Sequence, residues 1–282
     1  MNLNQTINKA SKILKNLNIH SHELDAEIIL SEIMGVTKEF LITNDNLQIS
    51  KKIKEKYFCA IKRRIKKEPV AFITGKKEFW SENFKVNYNT LVPRPETELL
   101  VHNVIKILKN RNISILDIGT GSGCILLSLL KELRFSRGIG IDISSSAIKI
   151  AKENANNLNL NNRSKFKVYD IKNFKFGKYD LIVSNPPYIP FRDLRNLSES
   201  IKNFEPISAL NGGNDGLDIV KKVIYKSCAH LKTNGLLAIE IGNGQYIKVS
   251  RILKKFGLRE VKKVQDYKSN VRCIISTKTR FF

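Results

Sequence analysis

The pentapeptide Ser184-Asn185-Pro186-Pro187-Tyr188 follows an apolar run, Tyr179 to Val183, and combines residue types that suit one task. An amide or aromatic amino nitrogen is a poor nucleophile because its lone pair is delocalised. Asn185 Oδ1 and the Pro186 carbonyl can each accept one N–H of a planar NH2 group, which orients the nitrogen and raises its electron density as it attacks. Two successive prolines fix φ and remove backbone donors, so the corner is stiff and presents carbonyl oxygens. Tyr188 adds a flat face for a planar group. A plain Pro-Pro turn accounts for the prolines but not for the flanking Asn and Tyr. The candidate catalytic residues are therefore Asn185, Pro186, Pro187 and Tyr188.

A second segment supplies the other half of a transfer reaction. Asp117-Ile118-Gly119-Thr120-Gly121-Ser122-Gly123 closes one apolar run and opens a helical pattern. Its glycines permit a sharp turn and close approach of backbone to a ligand. A dinucleotide fingerprint requires glycine at position 124, where this chain has Cys124, and no Lys-Ser/Thr pair completes a P-loop. The loop thus suits a nucleoside without a pyrophosphate. S-adenosyl-L-methionine fits, with its amino-acid end on the loop and Asp117 available for polar support. A tight strand-to-helix turn that binds nothing would carry a similar glycine pattern.

Asp142 ends the next apolar run, 19 residues after Gly123, where an acidic residue meets ribose hydroxyls in such folds. A helix cap or a solvated strand end is the alternative, and the neighbouring glycine loop favours ribose. Asp170 and Ile171 follow the third strand, at the expected place of the adenine ring. The candidate cofactor residues are Gly119, Thr120, Gly121, Ser122, Gly123, Asp142, Asp170 and Ile171, with Asn185 counted in both groups.

These segments need a scaffold, and the rest of the chain provides its pattern. From residue 112 short apolar runs alternate with amphipathic helical stretches, which implies a mainly parallel α/β sheet covered on both faces. Ligands then sit at the carboxyl ends of the strands. Residues 1–75 read as a small helical domain for substrate recognition. Leu24, Ile28, Ile29 and Ile33 form one stripe, stopped at Gly35, and Ile53, Tyr57, Ala60, Ile61 and Ile65 form another before Pro69. Residues 76–95 read as a hairpin linker, with Trp80, Phe84, Val86 and Tyr88 alternating with polar residues, and 96–282 as the catalytic domain. Arg94 and Glu98 border the expected site, although an ion pair or a helix cap explains them equally well.

LDIGTGSG (116–123), GIDIS (140–144) and SNPPYI (184–189) together resemble the release-factor glutamine methyltransferases, the PrmC/HemK family. The resemblance extends to EPVAFITGKKEFW (68–80), LVPRPETELLV (91–101), FEPISALNGGNDGLD (204–218) and IEIGNGQ (239–245). These outer segments are the more diagnostic, because Asn-Pro-Pro-Tyr is shared with adenine-amino methyltransferases. The resemblance implies a Rossmann-like, seven-stranded methyltransferase sheet with an N-terminal helical domain and a hairpin linker. It implies methylation of the glutamine in the Gly-Gly-Gln loop of peptide chain release factors. Gly119 to Gly123 and Asp142 would bind S-adenosyl-L-methionine, and Asn185 to Tyr188 would hold the glutamine. Ile171 departs from the family, whose members can carry an aromatic residue there. Two related readings stay open at this point: a glutamine methyltransferase of a ribosomal protein, and an adenine-amino methyltransferase of DNA or RNA. A non-catalytic binding module is disfavoured because both motifs are intact.

Composition narrows the classes further. Hydrophobic residues at 42% and charged residues at 27% fit a globular chain with a proper core. No run approaches a membrane span, and the N-terminal residues lack the apolar stretch of a secretory signal, so no membrane partner and a cytoplasmic location are expected. The net charge of +23 suits RNA, a ribosome or an acidic protein, but the basic residues are spread along the whole chain and do not select a substrate. No separate basic–aromatic recognition region accompanies the catalytic pattern, so direct nucleic-acid binding is not expected. The four cysteines and four histidines have no metal-ligand spacing, and buried free thiols are expected.

Overall fold

The computed structural model describes residues 1–175 and 177–279. The chain divides into two compact units, Met1–Lys76 with Ser198–Phe204, and Lys77–Leu197 with Glu205–Phe282.

The first unit is helical: α1 (Leu3–Asn16), α2 (His22–Met34), α3 (Lys38–Thr43), α4 (Lys51–Ile65) and α5 (Val70–Thr74), joined by Glu199–Phe204, α9 in chain order. Each start has a chemical cause. Asn2 and Gln5 make a reciprocal capping box on α1, and the Thr37 and Ser50 side chains accept from the first turns of α3 and α4. Gly35 ends α2 in the left-handed region, as the sequence predicts. Leu3, Ala10, Leu14, Ile29, Leu30, Tyr57 and Ile61 form the core.

The α4 stripe turns inward through Tyr57 and Ile61, but the α2 stripe requires correction. Of the stripe, Ile29 is buried and Ile33 packs against the core, but Leu24 is exposed and the inward face is completed by Asp25, Ala26 and Leu30. The cause is Asp25. Its carboxylate takes hydrogen bonds from Arg64 Nε (2.7 Å) and Ser21 Oγ (2.8 Å), so a charged position faces inward and rotates the helix.

The second unit, from Lys77, opens within a two-stranded hairpin, β1 (Lys76–Phe79) and β2 (Glu82–Lys85). Its turn is Trp80-Ser81, both at positive φ, so Trp80 is a turn residue and not the strand position its spacing suggests. Phe79 and Phe84 are the buried pair. The Trp80 backbone N–H and indole N–H instead donate to Glu98 and Glu132.

Beyond the hairpin come α6 (Pro95–Leu108), β3 (Ser114–Ile118), α7 (Cys124–Glu132), β4 (Arg137–Asp142), α8 (Ser145–Asn157), β5 (Ser164–Val168) and β6 (Tyr179–Ser184). After α9, the chain continues with α10 (Asp218–His230), β7 (Leu231–Glu240), α11 (Tyr246–Lys255), β8 (Leu258–Gln265) and β9 (Val271–Lys278). The seven-stranded sheet has the order β5-β4-β3-β6-β7-β9-β8, parallel through β7, with β9 antiparallel to both neighbours. Alternate residues serve opposite faces. Ile115, Leu181 and Val183 pack under α6, α7 and α8, while Leu116, Ile118 and Ile182 pack under α10 and α11. Among the described residues no helix is long and apolar enough to cross a membrane.

From β3 the chain winds outward to β4 and β5, then returns to β6 on the other side of β3. The carboxyl ends of β3 and β6 therefore flank a topological switch point, where open parallel sheets leave a crevice for ligands.

Candidate active site

A cleft of about 340 Å³ opens at this switch point. The turn after β3 forms one wall. Gly119 (φ +73°) and Gly121 (φ +56°) occupy the left-handed region, and a Cβ at either would meet nothing within 4 Å. Glycine is required there by backbone conformation and not by packing. The N–H groups of Gly119 and Thr120 both donate to the Ile141 carbonyl, which ties the turn to β4.

Gly119, Thr120, Gly121, Ser122, Asp142, Asp170, Ile171, Asn185, Pro186 and Pro187 all line this one cleft. Gly123 does not; its φ is +82°, and a Cβ there would crowd Leu127, Ala151 and Phe166 at 3.2–3.3 Å. Tyr188 is likewise absent from the lining, and its hydroxyl lies 3.4 Å from Glu240 Oε1. Arg94 lines the cleft while donating to Glu205 Oε1 at 2.6 Å, so it serves both readings of its position. Glu98 accepts from the Trp80 backbone and is not part of the wall.

Asp142 has two structural duties. Its Oδ2 accepts from Gly121 N (3.0 Å), and its Oδ1 accepts from Ser144 N (2.9 Å), just before α8. The carboxylate thus braces the glycine turn and the next helix entry, and its remaining lone pairs can still take hydroxyl donors. Burial raises its pKa, against the backbone N–H groups that lower it. Asp117 is buried behind the turn. Thr120 Oγ1 donates to its Oδ2 at 2.7 Å, while Oδ1 has no partner among the described residues. Burial pushes this carboxyl up to about 7.

The corner after β6 is clamped from several directions. Ser184 Oγ donates to the Ile118 carbonyl at 2.7 Å, locking the β6 end to the β3 end. Gln245, buried at the start of α11, donates from Nε2 to the Tyr188 carbonyl (2.9 Å) and accepts at Oε1 from Gly242 N (2.8 Å). Asn185 Nδ2 donates to Thr97 Oγ1 (3.2 Å), and Thr97 Oγ1 donates to Glu240 Oε2 (2.7 Å). Among the described residues no hydrogen bond reaches Asn185 Oδ1 or the Pro186 carbonyl. Two stiffly held acceptors are thus available at the wall beside the glycine turn.

Sequence reasoning missed Thr97, Glu240 and Asn154. Asn154, buried on α8, accepts from Lys85 N (2.7 Å) and donates to the Lys85 (3.0 Å) and Ser122 (2.8 Å) carbonyls. It joins the hairpin exit to the glycine turn. Asn154→Ala leaves buried backbone groups unpaired and should lower unfolding stability by about 2 kcal/mol. Urea denaturation checks this, and an unchanged midpoint would deny the side chain its bracing role. The thiols only partly follow expectation: Cys124 and Cys273 are buried, Cys228 is half-buried and Cys59 is exposed.

The arrangement fits a nucleoside-bearing, positively charged cofactor. Open space above Gly119 and Gly121 supplies room, the Asp142 carboxylate supplies acceptors, and Ile171, Ile219 and Val223 supply apolar wall.

Comparison with known proteins identifies the family. Residues 5–75 match the PrmC N-terminal domain, and residues 109–280 match a methyltransferase domain. A release factor glutamine methyltransferase of Caulobacter vibrioides is 38% identical, covering 94% of this chain and 92% of that one. Another, of Buchnera aphidicola subsp. Acyrthosiphon pisum, is 37% identical over 99% of both. Among solved structures the fold is similar to the hMettl16 catalytic domain (TM-score 0.60, 16% identity, 83% of this chain and 84% of that one). It is also similar to a methyltransferase from Pyrococcus furiosus (TM-score 0.53, 17% identity, 70% and 89%). At those identities the structures speak to fold alone. With a methyltransferase sheet, its N-terminal helical partner domain and relatives matched from end to end, the chain belongs to the release factor glutamine methyltransferase family.

Proposed function

We propose that this protein methylates the side-chain amide nitrogen of the glutamine in the Gly-Gly-Gln loop of peptide chain release factors, using S-adenosyl-L-methionine. The observation that carries the reading is Asn185: its Nδ2 is engaged by Thr97, so Oδ1 remains for a planar NH2 group at the cleft wall. S-adenosyl-L-methionine, when bound, supplies an electrophilic methyl group. The chain's own residues do the rest. Gly119, Thr120, Gly121 and Ser122 present backbone to the cofactor's amino-acid end, and Asp142 accepts from the ribose hydroxyls. Asp170 and Ile171 border the adenine.

Asn185 Oδ1 and the Pro186 carbonyl accept the two N–H bonds of the glutamine amide, which fixes the direction of its lone pair. The two accepted hydrogen bonds also concentrate electron density on nitrogen as attack proceeds. Pro187 keeps the corner rigid, and Tyr188 braces it. The helical region 1–75 is assigned the recognition of the release factor, and 76–95 the link to the catalytic region 96–282. The match of residues 5–75 to the PrmC N-terminal domain supports that division. A cytoplasmic location follows from the substrate.

Incubation with a purified release factor and methyl-labelled cofactor should add one methyl group to that loop glutamine. A ribosomal protein labelled in place of the release factor would reassign the substrate within the same chemistry.

A further inference from the structure

Glu240 ends β7, is buried, and terminates two hydrogen bonds from the amide-holding corner. Thr97 Oγ1, in the first turn of α6, donates to its Oε2 at 2.7 Å, and Tyr188 OH reaches its Oε1 at 3.4 Å. Thr97 in turn receives Asn185 Nδ2 at 3.2 Å. Resting on the functional reading above, we propose that the ionised Glu240 carboxylate, acting through Thr97, sets which end of the Asn185 amide faces the cleft.

Proton count decides the orientation. A threonine hydroxyl has one proton to give, and an ionised carboxylate can only accept. The Thr97 proton therefore goes to Glu240, and Thr97 can only accept from Asn185. Asn185 must turn its NH2 toward Thr97, which leaves Oδ1 for the substrate amide. Once protonated, Glu240 can donate to Thr97 Oγ1, freeing the threonine proton to turn toward Asn185. The amide is then satisfied in the flipped orientation, with its NH2 toward the substrate NH2 and no acceptor offered. Glu240 is a positioning residue in this scheme, and Asn185 the group that touches substrate.

The surroundings set where the proton is taken up. Facing Glu240 are Thr97 and Glu96 from α6, Tyr188 from the corner, and Arg272 and Cys273 from β9, with Cys124 of α7 also interacting with it. Burial dominates and pushes the carboxyl up to about 7, while Thr97, Arg272 and Tyr188 hold it down and Glu96 raises it. The active orientation is thus filled above neutral pH and emptied below it.

The test follows methyl transfer to a purified release factor across neutral pH, together with the Asn185 side-chain NH2 resonances of the resting protein by NMR. In the wild-type protein kcat falls as pH drops through about 7, and the Asn185 resonances shift with the same midpoint. Glu240→Gln and Thr97→Val lower kcat by on the order of 100-fold, because the acceptor is no longer held in place. Both variants lose the pH limb and the NMR titration and keep cofactor affinity, which confirms that they fold. Thr97→Ser, which retains the hydroxyl, restores rate and limb relative to Thr97→Val. Retention of the NMR titration in Glu240→Gln, or a serine variant no better than valine, would overturn the relay. Absence of transfer by the wild-type protein would remove the substrate assignment alone, since the NMR titration still reads the relay.

Discussion

Asn185→Ala should lower kcat for methyl transfer by about 1,000-fold, at the upper end of what a single preorganised polar contact contributes to a transition state. Three effects combine in that figure. The variant loses one of two acceptors for the substrate N–H groups, it loses the alignment those acceptors impose, and it leaves the amide lone pair delocalised as in free glutamine. Cofactor affinity should stay close to wild type, because the glycine turn and Asp142 are held by β3, β4 and α8 without Asn185. Single-turnover kinetics at saturating cofactor, with calorimetry for binding, separate the two. Lost binding with intact transfer at saturation would contradict the role assigned here.

The second large effect belongs to Asp142. In the proposed role Asp142→Ala removes acceptors for two ribose hydroxyls, and it also frees Gly121 N and Ser144 N, which it holds at 3.0 and 2.9 Å. Charge-assisted hydrogen bonds contribute about 1.5–3 kcal/mol each, so a loss of about 3 kcal/mol, or ~100-fold in cofactor Kd, is expected. Asp142→Asn is no remedy. An amide has one accepting oxygen, and here two backbone N–H groups approach opposite oxygens of the same carboxylate. Calorimetric titration of both variants with the cofactor checks this, with kcat at saturation near wild type. Unchanged affinity would leave Asp142 a purely structural brace between the glycine turn and α8.

How far this site could be read from sequence depends on how each residue acts. Gly119 and Gly121 were legible because left-handed backbone demands glycine, and Pro186 and Pro187 because proline fixes φ. Asp142 was placed by its distance from the turn, since a parallel sheet brings successive strand ends together. Thr97, Glu240 and Asn154 carry no such local mark. Thr97 meets Glu240 across 143 positions, and Asn154 meets Lys85 across 69, through single side-chain hydrogen bonds that no spacing rule reveals.

The fold shows the same division. The strand–helix alternation of residues 112 onward sufficed for the sheet, because period and length distinguish its elements. The inward face of α2 was misread because Asp25, a charged residue in the sequence, is buried against Arg64. The Trp80-Ser81 turn was hidden because neither residue is the Asn or Gly that positive φ favours. Nor did the chain announce that Ser198–Phe204 belongs with the N-terminal helices, since a short amphipathic segment does not name its partner.

The most direct test of the central claim offers the protein methyl-labelled cofactor, a purified release factor and an adenine-containing duplex together. Label should appear on the release factor and vanish when its loop glutamine is changed. Label on the duplex, with none on protein, would mean that the Asn185–Tyr188 corner holds an adenine amino group and that the substrate assigned here is wrong.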